Sequence, residues 1–126
     1  MAERGGLAKL VTACLVACGG YRLDGNKLLD PQLVRGFSDF EVDGLRTDHD
    51  GRIYLARLSA GKIAIIGADG SLQREVPLSG TQPTNLTFGG ADGKTVFVTQ
   101  KEGRFIEAFR VERPGREPCL QVPGMC

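Results

Sequence analysis

The feature that most constrains this chain is a repeat. The segment "DGLRTDHDGRIYLARLSAGKIAIIGADG" from Asp43 can be laid over "NLTFGGADGKTVFVTQKEGRFIEAF" from Asn85 at an offset of 42 to 43 residues. Three landmarks hold that offset: Asp50-Gly51-Arg52 matches Asp92-Gly93-Lys94, "RIYLAR" matches "KTVFVTQ", and Gly61-Lys62-Ile63 matches Gly103-Arg104-Phe105. Within each copy the side chains alternate. Ile53 and Leu55 oppose Tyr54 and Ala56, and Val96 and Val98 oppose Phe97 and Thr99, the period of a β-strand. Asp-Gly and Gly-Lys/Arg pairs punctuate the runs as hairpin turns do. "SLQREVPL" then alternates Leu72, Arg74, Val76 and Leu78 against Gln73, Glu75 and Pro77, and a proline in a half-polar strand belongs at a sheet edge. The unit reads as an inner strand, two middle strands and an edge strand. Four antiparallel strands per ~40–45 residues is the pattern of a β-propeller blade; the plainer alternative is an antiparallel meander with two similar halves.

Length then limits the number of blades. A propeller ring closes with about four to eight blades, and 126 residues hold about three units of this size. Two are well marked, and "YRLDGNKLLDPQLVRGF" (21–37) can supply the last hairpin of one before them. An open ring leaves blade faces and sheet edges uncovered, so missing blades or self-association are the partners expected on structural grounds.

Composition excludes several classes. Lys+Arg 16 against Asp+Glu 15 provides no electrostatic case for nucleic acid or an anionic membrane. The cysteines, Cys14, Cys18, Cys119 and Cys126, lie at the two ends without zinc-site spacing and read as thiols. Near the N-terminus, Leu7, Leu10, Val11, Cys14, Leu15 and Cys18 follow the i, i+3, i+4, i+7, i+8 spacing of an amphipathic helix. The same residues admit a second reading: Leu15-Val16-Ala17-Cys18 resembles a lipoprotein cleavage box, which would make the chain an exported lipoprotein anchored through Cys18. The stretch is too short and too charged to span a membrane. The expected location is cytoplasmic, with the lipoprotein as the alternative.

The middle of the chain resembles the SMP-30/gluconolactonase/LRE family of regucalcin-type lactonases. The residues that carry the likeness are "FSDFEVDGLRTDHDGRIYLAR" (37–57), "QPTNLTFGGADGKTVFVT" (82–99) and "FRVERPG" (109–115). The resemblance implies an all-β fold, a partial six-bladed β-propeller of about two to three blades from the C-terminal portion of the family's ring; the amphipathic spacing at residues 7–18 adds a short N-terminal helix before it. The resemblance divides the chain into an unmatched segment, 1–20, and a partial propeller, 21–126.

The resemblance also implies hydrolysis of a small sugar lactone with the help of one divalent metal, calcium or zinc, at the mouth of the central channel. In that family the protein ligands are a Glu near the N-terminus, an Asn in the middle and the Asp of an Asp-Gly motif. By the motif match the last is Asp43, expected as both metal ligand and catalytic base, while the Glu and Asn belong to earlier blades. The metal is therefore expected only if the remaining ligands are supplied, and the short chain is expected to be inactive alone. The alternative function is a non-catalytic interaction or structural module.

The residues themselves support part of this. A carboxylate oxygen suits a hard cation and can accept a proton from water, and Gly44 would let the backbone turn sharply beside it. Asn85, the second repeat's counterpart of the Asp43 region, is the candidate for the substrate pocket. His49 sits in a turn and reads as solvated. Asp50, Asp69 and Asp92 read as turn formers, the spacing around Asp48-His49-Asp50-Gly51 fails the EF-hand pattern, and no Gly-x-Ser-x-Gly elbow is present.

Overall fold

The computed structural model describes residues 8–14 and 17–116, with side chains from residue 17 onward. These residues form ten β-strands in three antiparallel sheets and, among the described residues, no helix. The first sheet holds β1 (Ala8–Cys14), β2 (Ala17–Asp24) and β3 (Lys27–Gly36) in that order. The second holds β4 (Leu45–Thr47), β5 (Ile53–Arg57), β6 (Lys62–Ile66) and β7 (Leu72–Pro77), again in chain order. The third holds β8 (Pro83–Gly89), β9 (Thr95–Gln100) and β10 (Ile106–Arg110). Consecutive meanders stacked face to face are the blades of a partial β-propeller.

The expected N-terminal helix is not formed. Residues 8–14 are extended and pair with β2 from Ala8↔Leu23 to Cys14↔Ala17. The apolar spacing that fits a helix over this short run is countered by β-branched Val11 and Thr12, which favour strands, and by Gly19-Gly20 further on, which disfavour a helix. Gly19 and Gly20 instead pair with Leu33 and Gln32 of β3. The hairpin expected over 21–37 is present, turning at Gly25-Asn26 with Gly25 at φ 62°. β2 itself runs unbroken through positions 20 and 21.

Two seams hold the sheets together. Cys18 of the first sheet packs with Val42, Ile53, Leu55, Ala64 and Ile66, flanked by Val34, Phe37 and Leu45. The opposite face of the second sheet, with Tyr54, Ala56, Ile63, Ile65 and Val76, packs on Leu86, Phe88, Val96 and Val98 of the third, together with Val111. The alternation visible in the repeat thus sends odd and even residues of β5 into different seams, and all five of its residues are buried. Burial of each large aliphatic side chain contributes about 1.5–3 kcal/mol, which makes the second sheet the anchor of the stack. β7 is the exposed edge strand, with only Val76 buried.

Tyr54 meets the ring of Phe88 edge-on, with centroids 4.9 Å apart at 72°. Its hydroxyl is buried without a hydrogen-bond partner, and burial, followed by the nearby charge of Asp48, pushes its ionisation up. An unsatisfied buried hydroxyl costs about 1–3 kcal/mol. Tyr54→Phe, which keeps the ring contact, is therefore expected to raise stability by about 1 kcal/mol in urea unfolding. A loss of stability on this substitution would show that the hydroxyl has a partner.

Candidate functional site

The approach to Asp43 is held firmly. The side chain of Arg57 is 2% exposed, and its Nη2 donates to the Asp39 carbonyl at 2.6 Å, to Asp39 Oδ1 at 2.8 Å and to the Phe40 carbonyl at 3.4 Å. The guanidinium also lies 3.8 Å over the ring of Phe37, a cation–π contact. Its hydrogen bond to Asp39 lowers the Asp39 pKa. Val42 is then buried in the first seam, and Asp43, next in line, is exposed.

Asp43 and Gly44 share one partner. The Asp43 N–H donates to the Ala56 carbonyl at 2.9 Å, and the Ala56 N–H donates to the Gly44 carbonyl at 2.9 Å. Two residues thus oppose one, the count of a β-bulge. The Gly44 N–H left over by the bulge donates to the Thr84 carbonyl of β8 at 2.8 Å. This ties the start of one inner strand to the start of the next.

The role expected for Gly44 needs correcting. It is not among the glycines with positive φ, so a sharp turn is not what requires it. A Cβ at this position would lie 2.2 Å from Asn85 Oδ1 and 2.9 Å from Asn85 Cα. Gly44 is needed because β8 passes directly against it.

That close approach brings Asp43 and Asn85 together at the starts of neighbouring inner strands, 42 positions apart in the chain. Both are exposed. Asn85 Oδ1 accepts from the Leu86 N–H at 2.8 Å and faces Arg46 Nη1 at 3.5 Å. Arg46 also donates to the Leu45 carbonyl at 2.8 Å. Arg46 is the member of this group that sequence reading passed over. Its place three residues after Asp43 gives no signal, because its neighbour Asn85 comes from the other repeat.

Asn85 and Arg46 can present an amide and a guanidinium to a polar ligand, and Asp43, one residue from the contact of Gly44 with Asn85, is an exposed carboxylate at the start of the neighbouring inner strand. The group does not fit a divalent cation unaided. Calcium takes about six to eight oxygens, whereas the donors here are one carboxylate and one amide oxygen already engaged by Leu86 and faced by a cation. Among the described residues no group of three or more His, Cys, Asp or Glu could hold a metal.

The other sequence candidates lie elsewhere. His49 is exposed, and its N–H donates to the Pro114 carbonyl at 2.9 Å. Gly51 and Gly93 occupy positive φ, 86° and 72°, as turn glycines do. Asp92 accepts from the Lys94 N–H and from both Nη atoms of Arg110, and the bond to Arg110 holds its carboxyl well below the usual range. Asp69 caps its own turn through Ser71. Cys18 is fully buried in the first seam. No described helix is long and apolar enough to cross a membrane.

Comparison with known proteins agrees with the fold and identifies the family. Residues 11–102 match the family model described as the SMP-30/gluconolactonase/LRE-like region. A 6-deoxy-6-sulfogluconolactonase from Pseudomonas putida is 31% identical over 84 residues, which are 66% of this chain and 28% of that protein. Among solved structures, a luciferin-regenerating enzyme superposes with a TM-score of 0.74 at 17% identity, covering 85% of this chain and 43% of the other. A calcium-binding regucalcin from Agrobacterium tumefaciens strain C58 superposes at 0.70 and 20% identity, covering 81% and 41%. The chain spans less than half the length of each of these relatives.

Proposed function

Because the chain belongs to the SMP-30/gluconolactonase/LRE-like family, we propose that it carries one wall of a sugar-lactone hydrolase site, with Asp43 as general base. The observation that supports this reading is the close approach of Gly44, the residue after Asp43, to Asn85, which sets the two candidates at the starts of adjacent inner strands. In the proposed reaction a water oxygen attacks the lactone carbonyl carbon while the Asp43 carboxylate takes the water's proton. The ring C–O bond then breaks, and the leaving alkoxide receives that proton, giving the open hydroxy acid. Asn85, with Arg46 beside it, would bind oxygens of the sugar. A carboxylate on a pinned bulge loses little freedom when it engages substrate.

Calcium or zinc belongs to this proposal only with ligands from beyond the described residues, since the donors around Asp43 are too few. The reading includes a cytoplasmic setting, the reducing compartment in which cysteines persist as thiols.

The test follows hydrolysis of glucono-δ-lactone through acid release. The 126-residue chain alone is expected to match the buffer rate. Fused to the remaining blades of a six-bladed relative, it is expected to turn over lactone, and Asp43→Asn should then lower kcat by about 10²–10⁴-fold. An unchanged rate in that variant would remove Asp43 from the chemistry and leave the non-catalytic module as the better reading.

A further inference from the structure

We infer that Phe40 is a ligand-binding residue, an aromatic platform that takes the carbon–hydrogen face of a sugar-lactone ring beside Asp43. This role rests on the lactonase reading and adds to it a contact that sets affinity.

Phe40 is at odds with its own backbone. It stands at φ 43°, in the left-handed region, where a bulky residue is an outlier and the strain costs about 1–2 kcal/mol. Glycine would hold the same conformation without that cost. Burial does not offset it, because Phe40 is 53% exposed and much of the hydrophobic gain of an aromatic ring is forgone. Such outliers persist where the surroundings hold them, and they cluster at ligand clamps.

Here the surroundings do hold it. Residues 38–41 are exposed, while Phe37 before them and Val42 after them pack in the first seam. Between these anchors the buried Arg57 donates to the carbonyls of both Asp39 and Phe40, and its guanidinium lies over the Phe37 ring. Among the described residues, every hydrogen bond of this guanidinium goes to Asp39 or Phe40. A buried cation thus fixes an exposed aromatic residue in a conformation it disfavours. The loop joins the first sheet to the second, and the residues that shape it come from those two sheets and the loop itself.

The position of Phe40 selects its ligand. Arg57 ends β5, and the residue before it, Ala56, holds the bulge of Asp43 and Gly44. Phe40 and Asp43 are therefore anchored to consecutive residues at one end of the second sheet. The start of β8 joins that end: Gln82 Nε2 donates to Ser59 Oγ at 3.2 Å in the turn after β5, and Asn85 lies against Gly44. Asn85, Arg46 and Asp43 address oxygens, and Phe40 adds a surface for the ring's carbon–hydrogen face. The face of an aromatic ring is electron-rich and attracts polarised C–H groups, and small-molecule sites combine a few polar groups with aromatic walls.

The first test uses the fused enzyme. Phe40→Gly is expected to raise KM for glucono-δ-lactone about 2- to 10-fold with kcat unchanged, and Phe40→Tyr should keep the original KM. Phe40→Gly should also unfold at a higher urea concentration, since glycine relieves the strain. A lower unfolding midpoint with an unchanged KM would make Phe40 a structural residue and overturn the platform.

Binding is read apart from turnover in the 126-residue chain, which has no tryptophan. Phe40→Trp supplies one indole, and its emission should change saturably with 1,5-anhydroglucitol, a ring that cannot be hydrolysed, but not with open-chain glucitol. Leu72→Trp, on the edge strand β7, should respond to neither. No response at position 40, or an equal response to both polyols, would overturn the platform. If Asp43→Asn kept its full rate, the lactonase reading would fall while this emission still decided the role of Phe40.

Discussion

Asp48→Ala is expected to destabilise the fold by about 3–5 kcal/mol, the range for removing one partner of a buried ion pair. Asp48 is fully buried in the turn between β4 and β5. Its Oδ1 accepts from the Asp50 N–H at 2.9 Å and the Arg52 N–H at 3.0 Å, and its Oδ2 takes Arg52 Nε at 2.9 Å. Alanine would leave two backbone donors unmet and the Arg52 charge, 19% exposed, without its counter-ion. Each unmet buried donor costs about 1–3 kcal/mol. The turn also ties down the far end of the described chain: Asp48 bridges to Gly115, and the Arg116 N–H donates to the Thr47 carbonyl at 2.9 Å. Asp50→Ala, two residues on, is the control. Asp50 is half exposed and pairs with Arg113, and such surface pairs contribute about 0–1 kcal/mol. Urea unfolding of the two variants measures the contrast, and equal losses would show that the Asp48 network is not what stabilises the turn.

The two aspartates also show how far the sequence could be read. Both sit in Asp48-His49-Asp50-Gly51, and the turn is evident from the Asp-Gly pair and its repeat at Asp92-Gly93. Nothing local says which carboxylate goes inside. That depends on Arg52 folding back and on a segment more than sixty positions away, at Gly115, closing over the turn. Strand alternation, by contrast, is local, so the middle strands of the second and third sheets and the edge character of β7 were legible. The N-terminal strands were not, because over so few residues apolar spacing fits either period. There the choice is made by pairing within the first sheet, toward which Val11 and Thr12 give only a weak local preference. The candidate site divides in the same way. Asp43 and Asn85 each stand out by their place in a repeat, but their meeting, and the presence of Arg46 beside them, arise from how two blades stack.

That meeting depends on Gly44, and Gly44→Ala is expected to cost about 1–3 kcal/mol, the usual penalty for overpacking. The added Cβ would lie 2.2 Å from Asn85 Oδ1 and 2.6 Å from Asn85 Cγ. Rotating the Asn85 side chain could relieve those two clashes. It could not relieve the third, 2.9 Å to Asn85 Cα, which is backbone. The start of β8 would have to move away from β4, straining the bond from the Gly44 N–H to the Thr84 carbonyl. Gly51→Ala separates this effect from ordinary glycine strain. Gly51 has φ 86° and no atom within 4 Å of its added Cβ, so its cost is backbone strain alone, about 1–2 kcal/mol. The double variant Gly44→Ala with Asn85→Ala should recover part of the loss, because the side-chain clashes vanish while the crowding against the β8 backbone stays. Asn85→Ala in the background of Gly51→Ala should recover nothing. Full recovery in the first pair would mean that only the side chain is crowded, and no recovery would mean that β8 itself sets the clash. Either extreme contradicts a clash shared between side chain and backbone, and in the fused enzyme the partial loss should appear together with a raised KM, since the same substitution displaces Asn85 from Asp43.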